Sequence, residues 1–280
     1  IRQVIGFSED LDDISKELFS LTTNGGNEYC GQVIQTSLNQ LKWGNNPDDL
    51  KLIFIAGNEP FSQGYLSYKL AAMNANEKDV TVNTIFCGNY ETGISGKWQH
   101  GAQLTKGDYM TIDHNQQIIH IVTPYDKIII DLNTQLNGTY VSYGSLGYVN
   151  KVRQSSQDSE ALSLNEEVVV KRAVSKSGRM YKNSSWDLVD ASKDKNFKIE
   201  DVDKKDLPKE LQGKSVEELK AYVKAKEKER AQIQKQIQDL NTKREAYVAK
   251  NSANSNTSDL ENAMIAAIKK QAKKKNFSWK

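Results

Sequence analysis

The sequence predicts an α/β fold with a doubly wound, mostly parallel sheet, followed by an α-helical hairpin tail. Three observations support this fold class. Apolar runs at residues 51–57, 80–88 and 108–114 are typical of strands buried on both faces of a sheet. Helical periodicities alternate with these runs, which favours parallel strands joined by right-handed crossovers. After Gly147 the sequence becomes polar and charged, and its last part is typical of two helices.

The remaining elements follow from periodicity and capping signals. Residues 2–7 predict a short strand. Ser8 is a candidate N-cap for an amphipathic helix over residues 9–21, in which apolar residues recur every three to four positions. Four further helices are predicted, over residues 29–42, 64–76, 93–104 and 124–141.

Three segments are expected along the chain. Residues 1–147 form the α/β domain, residues 148–210 an irregular connecting region, and residues 211–280 the hairpin. Capping-box pairs mark the starts of both tail helices. The first tail helix has a coiled-coil-like seam, which Lys226 and Arg230 interrupt. This interruption favours a hairpin within the chain over an oligomerisation surface, although assembly through the tail stays open as an alternative.

Composition excludes several functional classes. The formal net charge of +2 is too small for a nucleic-acid polycation, so no nucleic-acid partner is expected. No apolar run approaches the roughly 18 residues that a membrane span needs, so no transmembrane segment is expected. No nucleophile–base or acid–base pair is placed by the sequence. The chain is therefore expected to bind another protein and not to be an enzyme.

Oxygen-bearing side chains are predicted to lie at the edge of the sheet where the strands have their carboxyl ends, and ligands bind at this edge in open parallel α/β sheets. They belong to the segments 22–28, 56–61 and 87–91. Hard cations such as Mg²⁺ or Ca²⁺ take oxygen ligands of this kind. The alternative is that the Asn and Gly residues in these segments simply form turns. The candidate side chains are Thr22, Thr23, Asn27, Glu28, Asn58 and Glu59.

Several segments together resemble the von Willebrand factor A family, within roughly residues 1–147. They are TTNGGNEYCGQVI from residue 22, LIFIAGNEPF from 52, VNTIFCGN from 82, WQHGAQLTKGDYMTID from 98 and LNGTYVSYG from 136. The resemblance is strongest to bacterial members that add a helical tail. It implies adhesion to a partner protein through a metal-ion-dependent site at three loops, with Mg²⁺ or Ca²⁺ bound.

The resemblance assigns the metal site to Thr23, Asn27, Glu28 and Asn58. The sequence departs from the family pattern because Asn58 stands where an Asp is usual, which should weaken metal binding. It also contains no Asp-x-Ser-x-Ser motif after a strand, and this motif is expected to lie upstream of Ile1. A structural or assembly subunit that uses the helical tail, with a metal-free loop face, is the alternative function.

The two cysteines, Cys30 and Cys87, both fall at the predicted loop edge of the sheet. They permit one disulfide if the protein is exported, or two small buried thiols. The family resemblance and the disulfide together favour an exported, periplasmic or cell-surface bacterial protein.

Overall fold

The computed structural model describes residues 1–22, 25–112, 121–251 and 259–278, with the side chain of residue 259 outside the description. The chain forms two compact units that interleave in sequence. The sheet unit contains Ile1–Phe7, Thr22–Ile119 and Ser255–Lys280, and the helical unit contains Ser8–Leu21 and His120–Asn254. This division differs from the predicted boundaries after residues 147 and 210.

The described residues contain three strands and eleven α-helices. The strands are β1 Lys51–Gly57, β2 Val80–Cys87 and β3 Tyr109–Ile112. The helices are α1 Leu11–Phe19, α2 Cys30–Gln40, α3 Tyr68–Glu77, α4 Tyr90–Ser95, α5 Trp98–Gln103, α6 Asp126–Asn137, α7 Gly147–Leu164, α8 Glu166–Ser177, α9 Leu188–Ala191, α10 Val216–Asn251 and α11 Asp259–Lys273. Three 3₁₀ turns lie at Ile199–Asp201, Lys204–Asp206 and Lys209–Leu211.

The three strands form a parallel sheet in the order β1-β2-β3, which confirms the prediction of an α/β fold with a parallel sheet. Side chains alternate between its faces, as strand geometry requires. Ile55 and Val82 lie in a core cluster with residues of α2, α3 and α5. Ile85 and Met110 belong to a second cluster with residues of α11. Helices therefore cover both faces, which explains why the strands read as continuous apolar runs.

The predicted hairpin of the two tail helices is not confirmed, because α10 belongs to the helical unit and α11 to the sheet unit. In the helical unit, α10 packs against α6 and α8. In the sheet unit, α11 packs on β3, with Met264 and Ala267 beside Met110. The side chains of Gln271 and Asn83 also exchange hydrogen bonds between α11 and β2. Each helix therefore packs apolar residues into a core cluster of its own unit.

The predicted irregular region at 148–210 is wrong, since it contains the 18-residue helix α7 and the 12-residue helix α8. The buried side of α7 includes Gln154 and Gln157, which are 1% and 4% exposed. A helix that buries amides has no apolar stripe, so hydrophobic periodicity does not reveal it.

Smaller differences concern individual predicted elements and their ends. Residues 2–7 form no strand. The helix predicted over residues 93–104 is two short helices, α4 and α5, separated at Lys97, whose φ of 72° is left-handed. The end of the strand predicted over residues 108–114 lies outside the described residues. None of the helices that the structure describes is both long enough and apolar enough to cross a membrane.

Gly107 lies where β2 and the end of α5 approach closely. A methyl group at this position would overlap the carbonyl oxygen of Val82, which is backbone and cannot turn aside. We expect Gly107→Ala to lower the free energy of unfolding by about 2–3 kcal/mol. Gly213→Ala is the control, because nothing lies within 4 Å of its new methyl group. Urea unfolding of both variants measures the effect, and equal stabilities would contradict the expectation.

Candidate functional site

The candidate site lies at the carboxyl end of β1, where the loop before α2 meets the loop after the strand. The carboxylate of Glu28 joins these two loops. Its Oε2 atom accepts hydrogen bonds from the backbone N–H groups of Asn58 at 2.8 Å and Glu59 at 3.1 Å. Charge-assisted bonds of this kind are stronger than neutral ones, so Glu28 fixes the backbone of the second loop.

Gln63 adds further links between the same loops. Its Nε2 donates to Asn27 Oδ1 at 3.1 Å, and its Oε1 accepts from the Glu28 backbone N–H. Asn27 in turn donates to the Tyr29 hydroxyl at 3.0 Å. The two loops therefore form one hydrogen-bonded surface, which we call the loop face and define as residues 25–29 and 57–65.

Close packing beneath the loop face restricts its backbone. A methyl group at Gly57 would overlap the Glu28 carboxylate and the ring of Trp98. The Trp98 indole N–H donates to the Glu59 carbonyl at 2.8 Å. Gly64 has a φ of 97°, which favours glycine, and this turn directs the next residue outward. That residue, Tyr65, is 90% exposed.

The structure brings together three of the four residues predicted as metal ligands. Asn27, Glu28 and Asn58 lie on the loop face, and Thr23 lies outside the described residues. Glu28 Oε2 and Asn27 Oδ1 already accept hydrogen bonds from the protein. Among the described residues, no group of three or more His, Cys, Asp or Glu side chains could hold a metal ion. The residues present therefore fit Mg²⁺ or Ca²⁺ poorly.

Both cysteines are free thiols in the structure, so it does not contain the disulfide considered from the sequence. Cys30 is 2% exposed and packs in the core beneath α2. Burial, with a smaller contribution from the Glu28 charge, raises its pKa to about 12. The same two causes raise the pKa of Cys87, and a hydrogen bond with the Gly57 backbone partly opposes them. The first thiol is thus a core residue, and the helix N-terminus does not activate it.

We therefore expect the two thiols to differ in reactivity. At pH 8 Cys87, which is half-buried, should be alkylated by iodoacetamide, and Cys30 should react much more slowly because little of it is thiolate. Peptide mass spectrometry of a time course measures both rates, and Cys30→Ser confirms the assignment. An unmodified native protein that gains two thiols only after reduction would show a disulfide instead.

Sequence reasoning missed Gln63, Tyr29 and Trp98, which hold the loop face together. A glutamine in a glycine-containing loop has no distinctive pattern. The aromatic residues could have been noticed as rigid polar-tipped side chains beside a strand end. The partners of Gln63 and Trp98, however, are more than 30 residues away in the sequence, and only folding brings them near.

The helical unit contains a buried charged group that the sequence also did not reveal, the Arg230 cluster. Arg230 is 1% exposed and Asp187 is 0% exposed, and their side chains are joined at 2.6 Å. Arg230 also contacts Asp190 at 3.0 Å and the Thr139 carbonyl at 2.7 Å, and it lies 4.0 Å from the centre of the Tyr140 ring. Arg230, which interrupts the apolar seam of α10, thus joins this helix to Asp187, Asp190 and Thr139 within the helical unit.

A second buried group, the Asp158 cluster, contains Asp12, Asp158, Arg172, Lys176 and Tyr181. Asp158 accepts from Arg172 and from Lys176, which is 2.8 Å away. Asp12 accepts from Arg172 at 2.7 Å and from the Tyr181 hydroxyl at 2.6 Å. Two acids and two bases give a formally neutral set, and every ionised member has an opposite charge beside it. Such pairing is what burial of charge requires, so we assign both clusters a structural role.

A comparison with protein-family models, with curated proteins and with solved structures finds no match for this chain. The class of this protein is therefore defined by its fold and its loop face. It is an α/β protein with a three-stranded parallel sheet, a hydrogen-bonded surface at the carboxyl end of β1, and a separate helical unit.

Proposed function

We propose that this chain is a protein-binding module of the von Willebrand factor A type, which binds its partner through the loop face. The observation that best supports the proposal is the exposure of Tyr65, which is 90%, on a loop that Glu28 holds in place. Tyrosine is enriched among the residues that contribute most to protein interfaces. An exposed aromatic residue on a fixed loop is therefore suited to enter a pocket of a partner.

Preorganisation is the second argument. Binding a partner with mobile loops costs entropy when those loops become ordered. Here Glu28 and Gln63 already fix the loop backbone by hydrogen bonds to Asn58, Glu59 and Asn27. Polar side chains around an aromatic centre match the usual composition of an interface rim and core.

A metal-independent mode of binding is the form of this function that we propose. Glu28 directs one carboxylate oxygen to two backbone N–H groups, and Asn58 brings an amide where a charged ligand would be needed. The partner is expected to contact Tyr65 and the surrounding amides directly.

The first experiment identifies the partner. A photo-cross-linking phenylalanine analogue replaces Tyr65, and the full chain is irradiated in an extract of the producing organism. The matched control carries the analogue at Tyr148, which is 76% exposed on α7. A third variant carries it at Gln236, which is exposed on α10. We expect a protein that is cross-linked at 65 and at neither of the other positions. Cross-linking at 236 alone would favour the structural or assembly subunit instead.

The second experiment measures affinity for the purified partner. Tyr65→Ser is expected to weaken binding about 30-fold, as truncation of a central interface aromatic costs about 2 kcal/mol. Tyr148→Ser is the control and should bind like the unmodified chain. Titrations with Mg²⁺, Ca²⁺ or a chelator should give the same affinity. A strict requirement for either cation would contradict the metal-independent mode, and an unchanged affinity of Tyr65→Ser would contradict the loop face.

A further inference from the structure

A second surface of the sheet unit lies at the amino ends of the strands, opposite the loop face at their carboxyl ends. It is a pocket of about 180 Å³ at the amino ends of β1 and β2, and the end of α11 forms one wall. A water molecule occupies about 30 Å³ of liquid, so the pocket has room for a small polyatomic ion and some water. We call it the basic pocket.

Positive charge dominates the lining of the basic pocket. Four lysines line it, namely Lys51, Lys106, Lys274 and Lys275, together with a single acidic residue, Asp79. Lys275 already contacts both Asp79 and the Pro47 carbonyl. The other three lysines have no acidic partner within ion-pair distance among the residues that the structure describes. The pocket thus carries an excess of positive charge that the described residues do not neutralise.

Helix dipoles do not account for all of these lysines. Cations are favoured at helix C-termini, and Lys274 follows α11 while Lys106 lies just beyond α5. Lys51, however, begins a strand and has no helix end to complement. Its side chain shares the pocket with the other two, although like charges repel one another at such a site. An anion from solution would remove this repulsion.

The backbone around the basic pocket is also unusual. Asp79 and Lys106 both line it and both have left-handed conformations, with φ values of 57° and 61°. Such conformations cost energy in residues other than glycine, and they cluster at ligand-binding sites. Gln271 is 4% exposed and fixes the wall through hydrogen bonds to Asn83 at 2.7 Å and Asp108 at 2.9 Å.

We infer that the basic pocket binds the phosphate group of a small solute. Lysine ammonium groups bind phosphate as point charges, and three of them are free to do so here. The Thr81 hydroxyl also lines the pocket and makes no hydrogen bond to the described residues, so it can donate to a phosphate oxygen. The volume suits one phosphate group or a pyrophosphate, and the charge excludes cations as ligands. This inference does not depend on the proposed protein-binding function.

The test uses inorganic phosphate and pyrophosphate as probes, titrated into the full chain at constant ionic strength with chloride as the reference anion. Backbone amide NMR shifts report both affinity and position. We expect saturable binding with Kd at or below about 1 mM, and the largest shifts at residues 81 and 106. The triple variant Lys51→Gln, Lys106→Gln, Lys274→Gln should bind at least about tenfold more weakly.

The matched control is the triple variant Lys127→Gln, Lys182→Gln, Lys224→Gln. These lysines are exposed in the helical unit, and their replacement lowers the net charge by the same amount. The control should bind both probes like the unmodified chain. Circular dichroism and urea unfolding establish that both triple variants are folded. Equal weakening in both triples would show a general charge effect and overturn the site. No saturable shift at residues 81 and 106 up to about 10 mM of either probe would overturn it as well.

Discussion

Replacing Arg230 with Met is expected to lower the free energy of unfolding of the helical unit by about 3–5 kcal/mol. The guanidinium is the main opposite charge beside Asp187, which is 0% exposed, and it also contacts Asp190. Removing it leaves a buried carboxylate with backbone donors but no cation. Met fills part of the volume, so the loss reflects the unpaired charge more than a cavity.

Trp186 provides a local probe for this experiment, since it is 1% exposed and stacks on Tyr140 beneath Arg230. Urea unfolding followed by fluorescence measures the change. Lys220→Met is the control, because its pair with Glu200 joins side chains that are 57% and 48% exposed. Exposed pairs contribute at most about 1 kcal/mol. Adding Asp187→Asn to Arg230→Met should restore part of the stability. A loss below about 1 kcal/mol for Arg230→Met would contradict the assigned role.

Replacing Asp158 with Ala is also expected to lower the free energy of unfolding of the helical unit by about 3–5 kcal/mol. Asp158 accepts from the Arg172 and Lys176 cations and from the amides of Asn133 and Asn137. Without it, Lys176 keeps no acidic partner in direct contact although it is 0% exposed. Asp158→Asn should cost less, because the amide oxygen can still accept hydrogen bonds. A similar loss for Asn and Ala would mean that charge matters more than hydrogen bonding.

The ion pair of Asp158 and Lys176 also makes the stability of the helical unit depend on pH. Burial acts to raise the pKa of Asp158, but the charges of Lys176 and Arg172 outweigh it and hold this pKa below its usual value. The contribution of Asp158 is therefore present above the usual Asp pKa of about 3.9 and is lost as the pH falls through the folded-state value.

Lys176 acts in the opposite range. Burial lowers its pKa from 10.5 to about 8. Between pH 8 and the unfolded-state pKa of about 10.4, the folded protein binds fewer protons than the unfolded chain. The free energy of unfolding should therefore rise with pH across this window, by about 3 kcal/mol from this residue. Lys176→Met should lack the rise, and Lys182→Met is the exposed control. Comparing these two variants cancels the contributions of all groups that both variants share. Identical pH profiles would contradict the assignment.

The sequence determined the local elements of the sheet unit well. The apolar run at 51–57 became β1 with the predicted bounds, and the run at 80–88 became β2. Burial on both faces imposes an apolar run that ends where burial ends, so one stretch of sequence contains the whole signal. The meeting of Asn27, Glu28 and Asn58 was also predictable, since the loop before the second helix and the loop after the first strand were both expected at the edge of the sheet where ligands bind.

Only the tertiary structure decided which units the helices join and what holds them there. The polar buried side of α7 gives no apolar periodicity, so the helix was predicted as irregular. The seam of α10 seemed broken at Arg230, because nothing in the sequence shows that Asp187, 43 residues earlier, lies beside it. The tail helix α11 returns to the sheet, where Gln271 bonds to Asn83 across 188 residues. Long-range pairs of polar groups carry no local pattern, because each side chain alone is indistinguishable from one that faces water.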